Sequence, residues 1–201
     1  SRWFDMSKLY VNEIKPKTSG NIVTGLSNVL EVLAMNCDGG TYTVPSGTYT
    51  APNVTSVMSA SSSHDDLTGS IITYTPPTGA TAVLYEFSAN YATGNDTRVI
   101  MSMKFYVDGS EVVYARRGID GNYGGGLWNF RWVIPIGGTA DSNTGRLASW
   151  TSGKELKITF REYSASYEGR FHIIQEFDGS GTDVFAAPTL TITALGGAYN
   201  G

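Results

Sequence analysis

The run Arg116-Arg117-Gly118-Ile119-Asp120-Gly121-Asn122-Tyr123-Gly124-Gly125-Gly126-Leu127-Trp128 gathers two guanidinium groups, a carboxylate and a phenol among five glycines. Displayed on a long loop at a sandwich edge, Arg116, Arg117, Asp120 and Tyr123 could bind a glycan. Aromatic faces stack on sugar rings, and guanidinium groups donate to hydroxyls and carboxylates. The same run also reads as an ordinary glycine-rich turn, with Trp128 and Trp132 in the core of the strand it enters. Its glycines resemble a phosphate cradle in composition only, because no Lys-Ser/Thr ending and no helix follow.

Other residues of chemical interest are scattered. His64-Asp65-Asp66 offers adjacent carboxylates in a serine-rich loop, which could hold a hard cation or form a solvated linker. With two histidines, one cysteine and no H-x-x-H or C-x-x-C spacing, a zinc site is not expected. His172 is expected to be a partly exposed strand residue on the face opposite Phe171 and Ile173. Cys37 cannot form an intrachain disulfide and reads as a small buried hydrophobe. Glu86, Glu111, Glu162 and Glu176 lie on or near strands, but a glycosidase needs two carboxylates facing one another across a sugar. Glu86 shares a face with Leu84 and Ser88 and is expected at the surface. No G-x-S-x-G elbow is present to strain a serine nucleophile. Asn53-Val54-Thr55 and Asn95-Asp96-Thr97 match the N-glycosylation pattern. No catalytic residue, metal or cofactor is assigned, and the chain is not expected to be an enzyme.

The elements that must position these residues are strands. Residues 82–91 place Val83, Tyr85, Phe87, Ala89 and Tyr91 on one face, and residues 98–108 do the same with Val99, Met101, Met103, Phe105 and Val107. Residues 127–136 align Trp128, Phe130, Trp132, Ile134 and Ile136, and residues 154–163 align Leu156, Ile158 and Phe160. This period of two is the strand signature. Residues 170–177 and 188–195 complete the set, and residues 28–35 favour a strand over a helical alternative. Asp108-Gly109 between two alternating runs predicts a two-residue hairpin. Pro76-Pro77-Thr78-Gly79 and Asp178-Gly179-Ser180-Gly181 mark further turns. The pattern predicts an all-β fold, a jelly-roll-like antiparallel β-sandwich. The runs Val99-Ile100-Met101 and Ile173-Ile174 suggest strands covered on both faces, in part by another subunit.

Two regions are expected, an attachment and trimerisation segment over residues 1–66 and a β-sandwich head over residues 67–201. The small polar residues 59–63 form the boundary. Within the first region, Gly40-Thr41-Tyr42-Thr43-Val44-Pro45 is echoed by Gly47-Thr48-Tyr49-Thr50-Ala51-Pro52. Two copies are too few for a solenoid and read as two short extended pieces, each ended by Pro.

Residues 6–24, Met-Ser-Lys-Leu-Tyr-Val-Asn-Glu-Ile-Lys-Pro-Lys-Thr-Ser-Gly-Asn-Ile-Val-Thr, describe a small β-hairpin with Leu9 and Val11 on one strand and Ile22-Val23 on the other. A lone two-stranded hairpin buries too little to be stable, so it needs a partner. This segment resembles the opening of fibre and appendage proteins of tailed phages, marine and cyanobacterial ones in particular. The resemblance covers about a tenth of the chain. It implies a homotrimer whose N-terminal hairpins intertwine through Leu9, Val11, Ile14, Ile22 and Val23 and bind other virion proteins. The head would then be displayed on the particle, with a host-surface glycan as its partner. It lends no catalytic residues.

Composition is consistent with that picture. Charged residues are 16% of the chain, below the usual figure of about 25%. A formal net charge of −4 with scattered basic residues argues against nucleic-acid binding. No run reaches the roughly 18 apolar residues of a membrane-spanning helix, so no membrane insertion is expected. No signal peptide opens the chain, and the protein is expected to be made in a host cytoplasm and carried in the virion. A lectin-like carbohydrate-binding module and a capsid-decorating protein are the alternatives.

Overall fold

A computed structural model describes residues 28–94, 98–122, 124–175 and 183–197. The expected assembly residues Leu9, Val11, Ile14, Ile22 and Val23, together with Tyr123 and Glu176, lie outside the described residues. The strands in chain order are β1 (Val29–Asn36), β2 (Thr41–Val44), β3 (Gly47–Thr50), β4 (Met58–Ser59), β5 (Asp65–Asp66), β6 (Ile72–Tyr74), β7 (Ala82–Thr93) and β8 (Arg98–Val107). Then come β9 (Ser110–Glu111), β10 (Arg117–Asn122), β11 (Gly125–Pro135), β12 (Lys154–Glu162), β13 (Gly169–Phe171), β14 (Ile173–Gln175), β15 (Asp183–Phe185) and β16 (Thr189–Leu195). The fold is all-β, and every strand pair among the described residues is antiparallel.

The pairing is that of one long hairpin wrapped on itself. Counting β5 and β6 as a single broken strand, the first principal strand pairs with the last (β1 with β16) and the second with the seventh (β5 and β6 with β12). The third pairs with the sixth (β7 with β11) and the fourth with the fifth (β8 with β10). Wrapping adds β7 to β16 and β8 to β12. This gives two sheets in the orders β1-β16-β7-β11 and β10-β8-β12-β5/β6, the strand order of a jelly roll.

Alternation supplies the core between the sheets. Tyr85, Phe87, Phe130, Ile134, Leu190 and Ile192 of one sheet face Met103, Phe105, Leu156, Ile158 and Phe160 of the other, all buried. The rings of Tyr85, Phe105 and Phe130 lie 4.9 to 5.9 Å apart in tilted and edge-on pairs, the arrangement aromatic quadrupoles favour. Ser70 ties the layers together. Its hydroxyl donates to the Leu67 carbonyl (2.7 Å) and accepts from the Ile158 amide (3.0 Å), while its carbonyl accepts the Tyr85 hydroxyl (2.6 Å).

The Asp108-Gly109 hairpin forms, with φ of 52° and 79° at its two central residues, as a primed turn requires. The two Gly-Thr-Tyr-Thr copies do more than lie extended. They pair with each other as β2 and β3, with Tyr42 opposite Tyr49. The expected division near residue 66 is not a break in the described structure. β1 pairs with β16, β4 with β13 and β5 with β12, so strands from both sides of it share sheets. The small polar residues 59–63 run along the sandwich instead of linking two bodies, because β4 and β5 on either side are held in ladders.

Candidate functional site

The residues expected to form one glycan-binding loop are dispersed by strand formation. Residues 117–122 are not loop but β10, laddered to β8 from Arg117 opposite Met103 to Asn122 opposite Arg98. Alternation along β10 turns Ile119 inward and Asp120 outward. Arg117 covers the open side of the sandwich, its guanidinium 5.8 Å from the Phe130 ring and 5.7 Å from the Trp132 ring. Arg116, next to a short 3₁₀ turn over Val113–Ala115, pairs with Glu111, which also holds Lys104 at 3.3 Å. Trp128 is buried as expected, and Trp132 is partly buried and donates to the Thr144 carbonyl (2.9 Å). Of the expected set's described residues, Asp120 is the one that faces the open surface carrying Tyr163 and Tyr167.

That surface is the outer face of the β10-β8-β12 sheet, at the end where β12 leaves it. The Arg98 guanidinium donates through Nε (2.8 Å) and Nη2 (2.6 Å) to the two oxygens of Asp120, a bidentate pair. The pairing raises the Arg98 pKa and lowers that of Asp120, so both stay charged. Arg98 also lies over the Tyr167 ring at 5.9 Å, and Tyr167 is 5.9 Å from the Tyr163 ring. Tyr163 is 66% exposed and is anchored by its amide, which donates to the Ile100 carbonyl (2.9 Å). The result is a ring platform beside a fixed carboxylate and a fixed guanidinium, the equipment needed to stack a sugar ring and to accept and donate its hydroxyl hydrogens. Sequence reading missed Tyr163 and Tyr167 because one lies just past the end of a long strand and the other sits in a 3₁₀ turn over Ala165–Tyr167. The signal was there in Tyr163-Ser164-Ala165-Ser166-Tyr167, two tyrosines in a short polar connection.

The remaining candidates are engaged in structure. His64 Nδ1 lies 3.2 Å from the Thr159 hydroxyl, Asp65 accepts from the Ser61 hydroxyl (2.5 Å), and Asp66 pairs with Lys157 (3.0 Å). No group of three or more potential metal ligands occurs among the described residues. Glu86 is half-buried and pairs with Arg131 (2.7 Å), forming one side of a shallow groove of about 470 Å³ shared with Ser88, Asn129, Thr189 and Thr191 on the other sheet. Glu162 points inward and is buried; burial, then the nearby Glu168 carboxylate, raises its pKa. Cys37 is buried, donates to the Gly69 carbonyl (3.4 Å), and is pushed up to about 12 by burial and by Asp38.

His172 departs from expectation. It is fully buried, lies between β13 and β14, and has a φ of 65°, so it interrupts the strand instead of standing on its exposed face. Its Nε2 is 3.0 Å from the Thr68 hydroxyl, and Nδ1 has no hydrogen-bond partner among the described residues. Burial lowers its pKa to about 4 against the opposing hydrogen bond with Thr68. Ile174, on a strand expected to be covered in part by another subunit, is 40% exposed in the single chain.

No protein-family model matches the chain, and no curated protein matches it. Among solved structures it is similar to the infectious bursal disease virus Gx strain structure, at 16% identity over 77% of this chain and 36% of that one, with a TM-score of 0.33. It is also similar to the crystal structure of the infectious bursal disease virus VP2 subviral particle, at 14% identity over 81% of this chain and 40% of that one, with a TM-score of 0.30. The chain thus spans about two fifths of the length of these structural neighbours.

Proposed function

We propose that this chain is a structural protein of a virus particle, a trimeric phage fibre or appendage subunit whose jelly-roll head meets a glycan on the host surface. The observation that carries the attachment role is the exposed Tyr163–Tyr167 pair set against the bidentate Arg98–Asp120 pair. Assembly is supported by the resemblance of residues 6–24 to phage fibre openings. It is supported also by apolar side chains left exposed directly after that segment. Val29, Leu30 and Val32 of β1 are 42%, 38% and 50% exposed, the kind of surface that subunit packing covers. Jelly rolls serve in both capsids and lectins, and the fold accommodates this role.

Light scattering behind a sizing column, on the full chain at low micromolar concentration, tests the assembly. The expected mass is that of three subunits. Val11→Asp should reduce it to one while leaving the thermal unfolding of the head unchanged, since Val11 precedes the first sandwich strand. A monomeric unsubstituted chain would overturn the fibre reading. In that case the same ring platform favours a lectin-like module.

A further inference from the structure

The outer face of β12 carries more than the platform. Arg161 of β12 and Tyr163, the residue that follows the strand, continue one alternation and lie two residues, about 7 Å, apart. Across the ladder, Arg161 is level with Ser102, and Ser102 with Gly118. The next row holds Tyr163, Ile100 and Asp120. Gly118 leaves the far end of the first row open, because a Cβ built on it would meet only the Met101 carbonyl oxygen, at 3.6 Å. A ring lying on Tyr163 would therefore have Arg161 beside it and Asp120 at the far end of its own row, beyond Ile100.

The charge of Arg161 is the point of interest. The other basic residues on this face have carboxylate partners: Arg98 with Asp120, Lys104 and Arg116 with Glu111, and Lys157 with Asp66 and Glu155. Arg161 makes no ion pair among the described residues; its Nη1 reaches only the Ser62 carbonyl, at 3.5 Å. Arg161 is thus a cation left over on this face although the whole chain carries −4. His64 lies beside Thr159 on the same face. Its pKa is lowered first by burial and then by Lys104 and Arg161, with Arg116 adding, and only Glu111 acts the other way. A planar guanidinium with no carboxylate paired to it among the described residues is suited to bidentate capture of one.

We infer that this face selects a carboxylate-bearing saccharide, with Arg161 holding the acid group while Tyr163 stacks on the ring and Asp120 and Ser102 take its hydroxyls. The inference rests on the glycan-attachment reading and narrows its ligand to acidic sugars, of the uronic or nonulosonic class. The test is a printed array of hexuronate, nonulosonate, sulfated and neutral oligosaccharides probed with the full chain. It is followed by titration of tetragalacturonate, its neutral methyl ester and inorganic phosphate. The acid should bind at least about tenfold more tightly than the ester, the scale of one charge-assisted hydrogen bond. Arg161→Gln should bring the acid down to the level of the ester, whereas Tyr163→Ala should weaken both. Both side chains are at the surface, and an unchanged melting temperature identifies a folded variant. Equal binding of acid and ester would overturn the acidic preference, and an Arg161→Gln protein that still prefers the acid would overturn its assignment to Arg161; both results leave the platform standing. Displacement of the sugar by an equal concentration of phosphate would show recognition of charge alone and would also overturn it. Retention of no saccharide of any class would overturn this inference and the glycan reading together.

Discussion

At the scale of single residues, the buried polar groups show how far a sequence can be read. Glu31 is 4% exposed and accepts three hydrogen bonds, from the Ser46 amide (2.7 Å), the Ser46 hydroxyl (2.6 Å) and the Tyr74 hydroxyl (2.6 Å). Period-two alternation with Leu33 and Met35 places Glu31 on the inward face, and that much is legible. Its partners are not, because they come from 15 and 43 residues further along the chain. His172 failed for a different reason. Alternation assumes a continuous strand, and a residue at positive φ rotates out of that pattern. Its burial has a consequence for pH. The unfolded imidazole titrates at about 6.5 and the folded one at about 4, so between these values the unfolded chain binds more protons. Stability should therefore fall as pH drops through that window. His172→Asn, which tolerates the same backbone angle, should show a flatter profile. Urea midpoints measured from pH 7 to pH 4 decide the matter; a wild-type midpoint that does not move would contradict the burial argument.

At the scale of elements, what was legible was local. The Asp108-Gly109 hairpin and the faces of β7, β8, β11 and β12 follow from neighbouring residues, whereas alternation tells which way a side chain points and not which strand lies alongside. The same limit explains the fate of residues 116–123. Glycines there looked like loop residues, yet Gly118 and Gly121 sit in the β10 ladder opposite Ser102 and Val99. Two other glycines separate the reasons for the residue type. Gly109 has a φ of 79° and open space around it, so Gly109→Ala should lower stability by about 1 kcal/mol, a conformational effect alone. Gly125 has no unusual φ, but a Cβ there would collide with the backbone oxygen of Tyr91 across the β7–β11 ladder. Backbone cannot swing aside as a side chain can, so Gly125→Ala should lower the melting temperature several times more than Gly109→Ala. Equal losses would mean that the ladder end yields freely.

At the scale of the whole molecule, the all-β jelly roll was legible as a class, because long alternating runs and turn signals leave few other architectures. Its closure was not, since the outermost pair joins Val29 to Leu195 at opposite ends of the described chain. Such non-local pairing makes folding slow, on the order of milliseconds to seconds, and loop closure disfavours forming the β1–β16 pair early. Leu33→Ala, at a buried position of β1, should cost about 3 kcal/mol and appear almost wholly as faster unfolding, with the refolding rate unchanged. Stopped-flow chevron analysis would expose the opposite result, slowed refolding, as a sign that β1 docks first. The same ladder also sets how the sandwich would carry load. A tether drawn through residues ahead of β1 enters the sandwich at the Val29–Leu195 rung. Tension along the strand axis shears all the rungs at once and is shared among them, whereas tension across it peels them one after another. The direction of pull, as much as the number of hydrogen bonds, would decide the force at which the head comes away from whatever holds it.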